Sequence, residues 1–155
     1  MENKVFKVCK KYSDDLIKFT QELVKTRSYS DEEGDMVEKV INKMNELGYD
    51  EAFVDSTGNI VGKVGNGEKI IMFDSHMDTV KVPNPDEWSY PPFEGKIVDN
   101  KLYGRGSVDM KGGLASSVYA AAIAKECGLL DGKTIYVTGS VCEEFCDGVN
   151  IKMFF

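Results

Sequence analysis

Apolar residues recur at helical spacing through the first third of the chain. A helix is predicted over residues 13–27, with Ser13 as its N-cap and two aspartates in its first turn. Its apolar face comprises Leu16, Phe19, Leu23 and Val24. A second helix is predicted over residues 31–47, where Gly48 ends an apolar face of Met36, Val37, Val40, Ile41, Met44 and Leu47. Both faces indicate packing against a core.

From residue 51 the spacing changes to short runs that are typical of strands. The predicted strands cover residues 51–55, 60–64, 69–74 and 134–138. A loop rich in proline and aromatic residues covers residues 81–95, and a small hairpin follows it at residues 97–103. A third helix, small and apolar, is predicted over residues 110–127 and ends at Gly128. This alternation of helices and strands predicts a layered α/β fold.

Composition narrows the classes of function. The chain has 155 residues, enough for one buried core, and its net charge of -7 disfavours binding to nucleic acid or to an anionic membrane. The most apolar stretch, residues 114–124, is too short to cross a bilayer. The amino terminus lacks the apolar region of a secretory signal. With no such signal, the four cysteines favour reduced thiols and a cytoplasmic location.

Polar residues follow two of the predicted strands. His76, the single histidine, and Asp78 come directly after the strand at 69–74, and Glu143 and Glu144 follow the strand at 134–138. In isolation, the first pair is more typical of a core histidine bonded to backbone, and the second of a solvated acidic turn. The ends of strands are where α/β proteins place their chemistry, and imidazole and carboxylate groups ligate metals. The shared position therefore favours a metal site.

Asp109 lies between the glycine-rich segment Gly104-Arg105-Gly106 and the predicted third helix. Glycines let the backbone approach a ligand closely, which suits a metal ligand, but an aspartate at a helix N-cap explains the position equally well. A third reading is a dinucleotide-binding loop. It is weak, because Asp109 replaces the third glycine of that motif and the segment follows a hairpin.

Taken together, these segments resemble the M20 family of metallopeptidases, which includes acetylornithine deacetylase, succinyl-diaminopimelate desuccinylase, aminoacylase and glutamate carboxypeptidase. The matching residues are 75–80, 104–113 and the Glu143-Glu144 pair followed by Gly148. The sequence around residues 88–93 and 143–148 is most similar to the YgeY-like branch. The resemblance implies a three-layer αβα zinc-peptidase-like catalytic domain with a mixed sheet.

The resemblance also implies roles for individual residues. His76 would bind one metal ion, Asp109 would bridge two ions, and Glu144 would bind the second. Asp78 would orient His76, and Glu143 would act as general base. The ions would be Zn²⁺, with Co²⁺ or Mn²⁺ as alternatives. The implied activity is hydrolysis of an amide bond in a small peptide or an N-acyl amino acid by a metal-bound water, and members of the family form homodimers.

The resemblance extends from about Lys11 to about Asn150 and covers only the first third of the family's length. Residues 1–155 would then be the N-terminal part of the catalytic domain, without the lid and dimerisation domain and without the C-terminal part. The family's later carboxylate and second histidine have no counterpart, and residues 150–155 depart from the family pattern as a truncation or frameshift would.

The missing ligands leave two hypotheses open. This chain either binds metal weakly and hydrolyses little, or it is a non-catalytic remnant or a partner-binding half-domain. The resemblance further predicts a cis peptide bond between Asp109 and Met110.

Overall fold

The computed structural model describes residues 2–147. Its helices are α1 (Glu2–Lys25), α2 (Gly34–Glu46), α3 (Gly112–Cys127) and α4 (Glu143–Cys146). Its strands are β1 (Glu51–Val54), β2 (Ile60–Gly65), β3 (Lys69–His76), β4 (Lys96–Val98), β5 (Lys101–Tyr103) and β6 (Lys133–Ser140). Gly148 and residues 150–155, which entered the sequence interpretation, lie outside the described part of the chain.

Four of the strands form a mixed sheet in the order β1-β2-β6-β3. The β1–β2 and β2–β6 pairs are antiparallel, whereas β3 and β6 run parallel. The parallel register sets His76 opposite Ser140, so the chain leaves both strands at the same edge of the sheet. Strands β4 and β5 form a separate hairpin. The predicted mixed α/β class is therefore confirmed, and the sheet brings the two predicted strand ends together.

The described helices that form the core pack on one face of the sheet. This face carries Ile60 and Val64 of β2 and Ile135 and Val137 of β6, which join side chains of α1, α2 and α3 in one buried cluster. Gly62 lies on the same face, where a Cβ atom would come within 2.6 Å of the Met44 sulfur of α2. The absence of a side chain there lets α2 pack closely on the strand.

The opposite face of the sheet is partly open. Phe53 of β1 is 47% exposed and Ile70 of β3 is 64% exposed, and the strand register places both on this face with Tyr136. Within residues 2–147, β3 has no strand partner on its outer side. The described residues thus supply one helical layer and the sheet, and the second helical layer of the expected αβα arrangement has no counterpart among them.

All three predicted helix starts differ from the structure, the first two by the most. Helix α1 begins at Glu2, and Ser13 lies inside it, donating a hydrogen bond to the Lys10 carbonyl oxygen at 3.0 Å. Contacts with α3 explain the longer helix, since Lys11 and Tyr12 both bind the Glu126 carboxylate. Helix α2 begins at Gly34, because Asp31 has a left-handed backbone with φ of +70°. Neither the contacts of Lys11 and Tyr12 with Glu126 nor the backbone angle of Asp31 alters the spacing of apolar residues, so the hydrophobic pattern does not reveal them.

Helix α3 begins at Gly112, two residues after its predicted start at residue 110. Asp109 and Met110 have non-helical backbone angles and are joined by the expected cis peptide bond. Strand β6 extends beyond its predicted bounds at both ends, to Lys133 and Ser140. In the described part of the chain, no helix combines the length and apolar character needed to cross a membrane.

Candidate metal centre

Three of the predicted site residues converge at the edge of the sheet. His76, Asp109 and Glu144 each offer one ligand atom, and these atoms all lie within 4.8 Å of one another. The His76 Nε2 atom is 3.0 Å from Asp109 Oδ1. His76 ends β3, Asp109 precedes α3 and Glu144 lies in α4, so three separate segments build the cluster. One nitrogen and two carboxylates form a donor set that suits a divalent metal ion.

The His76 ring is buried and held by Asp78. Its Nδ1 atom lies 3.0 Å from the Asp78 carbonyl oxygen and 3.5 Å from the Asp78 carboxylate. A proton on Nδ1 serves both contacts and turns Nε2 to the cluster, where it donates to Asp109 when protonated and would offer its lone pair to a metal ion. The hydrogen bond with Asp78 and a second one with Asp109 raise the pKa of His76 to about 9 against the opposing effect of burial. The negative potential that favours a proton there equally favours a metal cation.

Asp78 joins the histidine to the two glutamates. Its fully buried carboxylate accepts hydrogen bonds from Ser30 Oγ at 2.6 Å, from the Glu143 backbone N–H at 3.0 Å and from the Glu144 backbone N–H at 3.1 Å. Burial acts to raise the pKa of Asp78, but the hydrogen bonds from His76, Ser30 and the two backbone amides hold it below its usual range. Asp78 is therefore ionised, and it fixes the start of α4 relative to His76.

The two glutamates differ in their surroundings. Burial raises the pKa of Glu144, the carboxylates of Asp109 and Asp78 add to this effect, and His76 opposes it. Such crowding of negative charge around a half-buried carboxylate is relieved by a bound cation. Glu143 donates its backbone N–H to Asp78, and its carboxylate is not one of the two that converge with His76. The pair thus places one glutamate in the cluster and the other beside it.

Asp109 does not cap α3. The residue before α3 is Lys111, and no side chain donates or accepts a capping hydrogen bond there. The Asp109 side chain is 75% exposed, with His76 Nε2 as its contact. Gly106 lets this loop pass close to the segment after β3, since its φ is +78° and a Cβ atom would lie 2.7 Å from Thr79. The N-cap reading was wrong. The glycines follow the β5 hairpin strand, which is not where a dinucleotide-binding loop begins.

Residues 28–30, which follow the first predicted helix, also contribute to the site, and no pattern in the sequence indicated it. This segment runs beside the residues that follow β3, with a bridge between Tyr29 and Thr79 and a hydrogen bond of 2.8 Å from Thr79 N–H to the Ser28 carbonyl. The pairing delivers Ser30 to Asp78. Hydroxyl residues after a helix are too common to signal such a contact.

Lys111 and Glu33 were also missed. Lys111 is fully buried, donates to the Thr26 carbonyl oxygen at 2.6 Å, and has a pKa lowered to about 8 by burial. Glu33 is buried and accepts a hydrogen bond of 2.8 Å from the Cys142 backbone N–H just before α4. Both tie a site segment to the end of α1 or to the loop after it. Both residues fall in the first turn of a predicted helix, where a charged side chain normally indicates solvent exposure, so sequence carries no clear signal for either.

Comparison with known proteins agrees with the geometry. The model of peptidase family M20/M25/M40 matches residues 72–153. The Escherichia coli protein YgeY is 38% identical over 145 residues, which are 94% of this chain and 36% of the relative. A probable succinyl-diaminopimelate desuccinylase of Staphylococcus epidermidis is 34% identical over 133 residues, covering 84% of this chain and 33% of the relative.

A solved structure shows the same fold. The crystal structure of human carnosine dipeptidase 1 superimposes with a TM-score of 0.84 at 21% identity, over 97% of this chain and 36% of that one. The chain therefore spans about a third of the length of the proteins it matches. The family match covers more than half of the sequence and includes every residue of the converging cluster. The chain belongs to peptidase family M20/M25/M40.

Proposed function

We propose that a protein containing this chain hydrolyses an amide bond in a small peptide or an N-acyl amino acid. The observation that carries the proposal is the convergence of His76, Asp109 and Glu144 within 4.8 Å at the sheet edge. The relatives support the substrate class, since one is described as a desuccinylase and another as a dipeptidase. Both names denote cleavage of an amide bond in a small molecule.

The residues of the cluster fit a divalent metal ion. His76 and Asp109 would hold one ion, and Asp109 would share in holding a second ion with Glu144. A nitrogen and carboxylate donor set is characteristic of Zn²⁺, and Co²⁺ and Mn²⁺ accept the same ligands. The buried Asp78 fits the role of the carboxylate that orients a metal-bound histidine through its second ring nitrogen.

The bound ions would polarise the amide carbonyl and acidify a water molecule. The remaining steps fall to the chain's own groups. Glu143, beside Glu144 and held by Asp78, would accept the proton of the attacking water and return it to the departing amine. Asp78 would keep the His76 ring and the α4 backbone fixed during this transfer. The products are a carboxylate and an amine.

The isolated 155-residue chain should bind these ions weakly. Each ion would have only two ligands from residues 2–147, whereas zinc sites normally use three or four. Calorimetric titration of the chain with Zn²⁺ and Co²⁺ tests this. We expect weak binding that Glu144→Gln weakens further, and no effect of Glu126→Gln, whose carboxylate instead binds Lys11. Tight binding of two ions would contradict the prediction that the isolated chain binds metal weakly. An unchanged affinity in Glu144→Gln would contradict the assignment of Glu144 as a ligand.

Hydrolysis is tested separately with a panel of dipeptides and N-acyl amino acids in the presence of each metal. Release of primary amine is the readout, and Glu143→Gln is the diagnostic variant. If Glu143 is the base, this variant loses the activity of the chain while keeping its metal affinity, because the carboxylate lies outside the converging cluster. Measurable amine release that is equal in the parent chain and in Glu143→Gln would contradict the assigned role.

A second candidate function is that of a partner-binding half-domain without catalysis. The specific observation is that β3 has no strand partner on its outer side among residues 2–147, together with the partly open sheet face that carries Phe53 and Ile70. An edge strand with exposed apolar side chains presents unpaired backbone N–H and C=O groups, which can form hydrogen bonds with a strand of another chain. Absence of any amine release, combined with self-association, would favour this candidate over hydrolysis.

A further inference from the structure

A pocket outside the metal cluster contains an arginine without an anionic partner. The pocket has a volume of about 440 Å³ and is lined by Pro83, Asn84, Glu87, Trp88, Ser89 and Arg105. Among residues 2–147, the Arg105 side chain has no ion pair and no hydrogen bond, and its Nε atom is buried with no acceptor.

The chain's other arginine shows what is missing. Arg27 forms an ion pair with Glu32 at 2.9 Å and lies over the Tyr29 ring at 5.0 Å. Arg105 lies over the Trp88 ring at a similar distance, 5.1 Å, but no carboxylate among residues 2–147 forms an ion pair with it. The chain has 26 acidic and 19 basic residues, so acidic side chains are not scarce.

The walls of the pocket are held in position. The Arg105 backbone N–H donates to the Pro92 carbonyl oxygen at 2.7 Å, which ties the arginine to the loop over residues 81–95. The rings of Tyr90 and Tyr103 pack with their centroids 5.0 Å apart and tie the same loop to β5. Stacking on Trp88 then limits the orientations of the guanidinium plane. A planar guanidinium that is already oriented binds a carboxylate through two parallel hydrogen bonds.

We propose that Arg105 and Trp88 form a binding subsite for a carboxylate group. Arg105 lies four residues before Asp109, and Trp88 lies on the loop that follows β3, so both pocket walls continue into segments of the metal cluster. The subsite selects substrates with an additional carboxylate beside the scissile amide, such as a dicarboxylic acyl group. This assignment to the substrate rests on the proposed function, whereas carboxylate binding itself does not.

Glu87 opposes the anion, because its exposed carboxylate lines the same pocket. Repulsion by Glu87 should keep the affinity of the subsite for a carboxylate low, and removing its charge should raise that affinity. Replacement by glutamine removes the repulsion and keeps the size of the side chain. A gain of affinity in Glu87→Gln is a result that a purely structural role of Arg105 would not produce.

Trp88 is the only tryptophan, so intrinsic fluorescence reports directly on the subsite. The experiment titrates succinate into the metal-free 155-residue chain at constant ionic strength. We expect a saturable change of Trp88 emission, an affinity about tenfold or more weaker in Arg105→Gln, and an intermediate affinity in Arg105→Lys, which keeps the charge but not the planar fork. Arg27→Gln is the matched control and should leave the affinity unchanged.

The carboxylate subsite is overturned if the parent chain responds to succinate no more than to chloride, or if Arg105→Gln keeps the parent affinity. Should Arg105→Gln unfold by circular dichroism, Arg105→Lys and Glu87→Gln decide: unchanged affinity in both overturns the proposal. The substrate assignment is tested with N-succinyl and N-acetyl forms of one amino acid, where Arg105→Lys should raise KM for the succinyl form alone. Metal calorimetry does not involve this pocket, so the two proposals fail separately.

Discussion

Asp78 connects the two sides of the candidate metal centre through one buried carboxylate. An amide at this position keeps one acceptor oxygen but directs an NH₂ group at Ser30 or at the backbone N–H groups of α4. We predict that Asp78→Asn lowers the free energy of unfolding by about 1–3 kcal/mol, the cost of leaving buried polar groups unsatisfied. Because it disturbs the support of His76, we also expect metal affinity to fall by about 10–100-fold.

Ser30→Ala is the control for this prediction. It removes one hydrogen bond to Asp78 but leaves the carboxylate and its bonds to α4. Urea unfolding should give a loss of about 0.5–1.5 kcal/mol for Ser30→Ala, less than for Asp78→Asn. A destabilisation by Asp78→Asn no larger than that by Ser30→Ala would show that the bonds to α4 contribute little.

At the level of single residues, sequence indicated the residues that converge better than it indicated the residues that hold them in place. His76 and Glu144 could be placed because each follows a recognisable strand, and parallel pairing of β3 with β6 then brings their ends together. Ser30 reaches Asp78 across 48 positions of sequence, and Lys111 reaches Thr26 across 85. Such contacts depend on how elements pack, and no local pattern encodes them.

The turn between β1 and β2 is closed by a single carboxylate. Asp55 Oδ1 accepts hydrogen bonds from the backbone N–H groups of Thr57 at 2.8 Å and of Asn59 at 2.9 Å, and the side chains of both residues also donate to Asp55. Burial acts to raise the pKa of Asp55, but these four hydrogen bonds together hold it below its usual value. The ionised form of Asp55 therefore stabilises the hairpin.

We predict that Asp55→Ala destabilises the chain by about 1–2 kcal/mol at pH 7, and that the difference shrinks in acid. Because the pKa is lowered in the folded state, the contribution is complete above the ordinary aspartate pKa near ~4 and is lost as pH falls through the lower folded value. Urea unfolding of both chains between neutral pH and acid measures it. Glu38→Ala, on the exposed side of α2, should show no such convergence, and a constant difference for Asp55→Ala would contradict the linkage.

Elements with a strong hydrophobic period were predicted closely, whereas their ends were not. Strands β1 and β2 begin at the predicted residues, because turn residues flank them. The first turns of α1 are rich in lysine and lack a continuous apolar face, and they are fixed instead by bonds from Lys4 and Lys11 to the end of α3. Helix boundaries of this kind are set by tertiary contacts.

Within the described residues 2–147, helices cover one face of the sheet and the other face is partly open. The mixed α/β class could be predicted from the alternation of helices and strands. The strand order β1-β2-β6-β3 and the edge position of β3 could not be predicted, because no local sequence pattern pairs residues 69–76 with residues 133–140. The order has a physical consequence. It leaves β3, an eight-residue strand, without a partner on its outer side within residues 2–147, next to the exposed Ile70 and Phe73.

When the isolated chain is in solution, a second copy of the chain can supply a strand that pairs with the outer edge of β3. We predict that the chain self-associates through β3, giving a molar mass that rises with concentration in light scattering. Ile70→Lys should shift it towards the monomer, because a charged side chain on an edge strand resists pairing. Ile17→Lys, at a 52% exposed position of α1 away from the sheet, is the matched control and should not shift it. A monomer at every concentration, or equal effects of the two lysines, would place any association elsewhere than at β3.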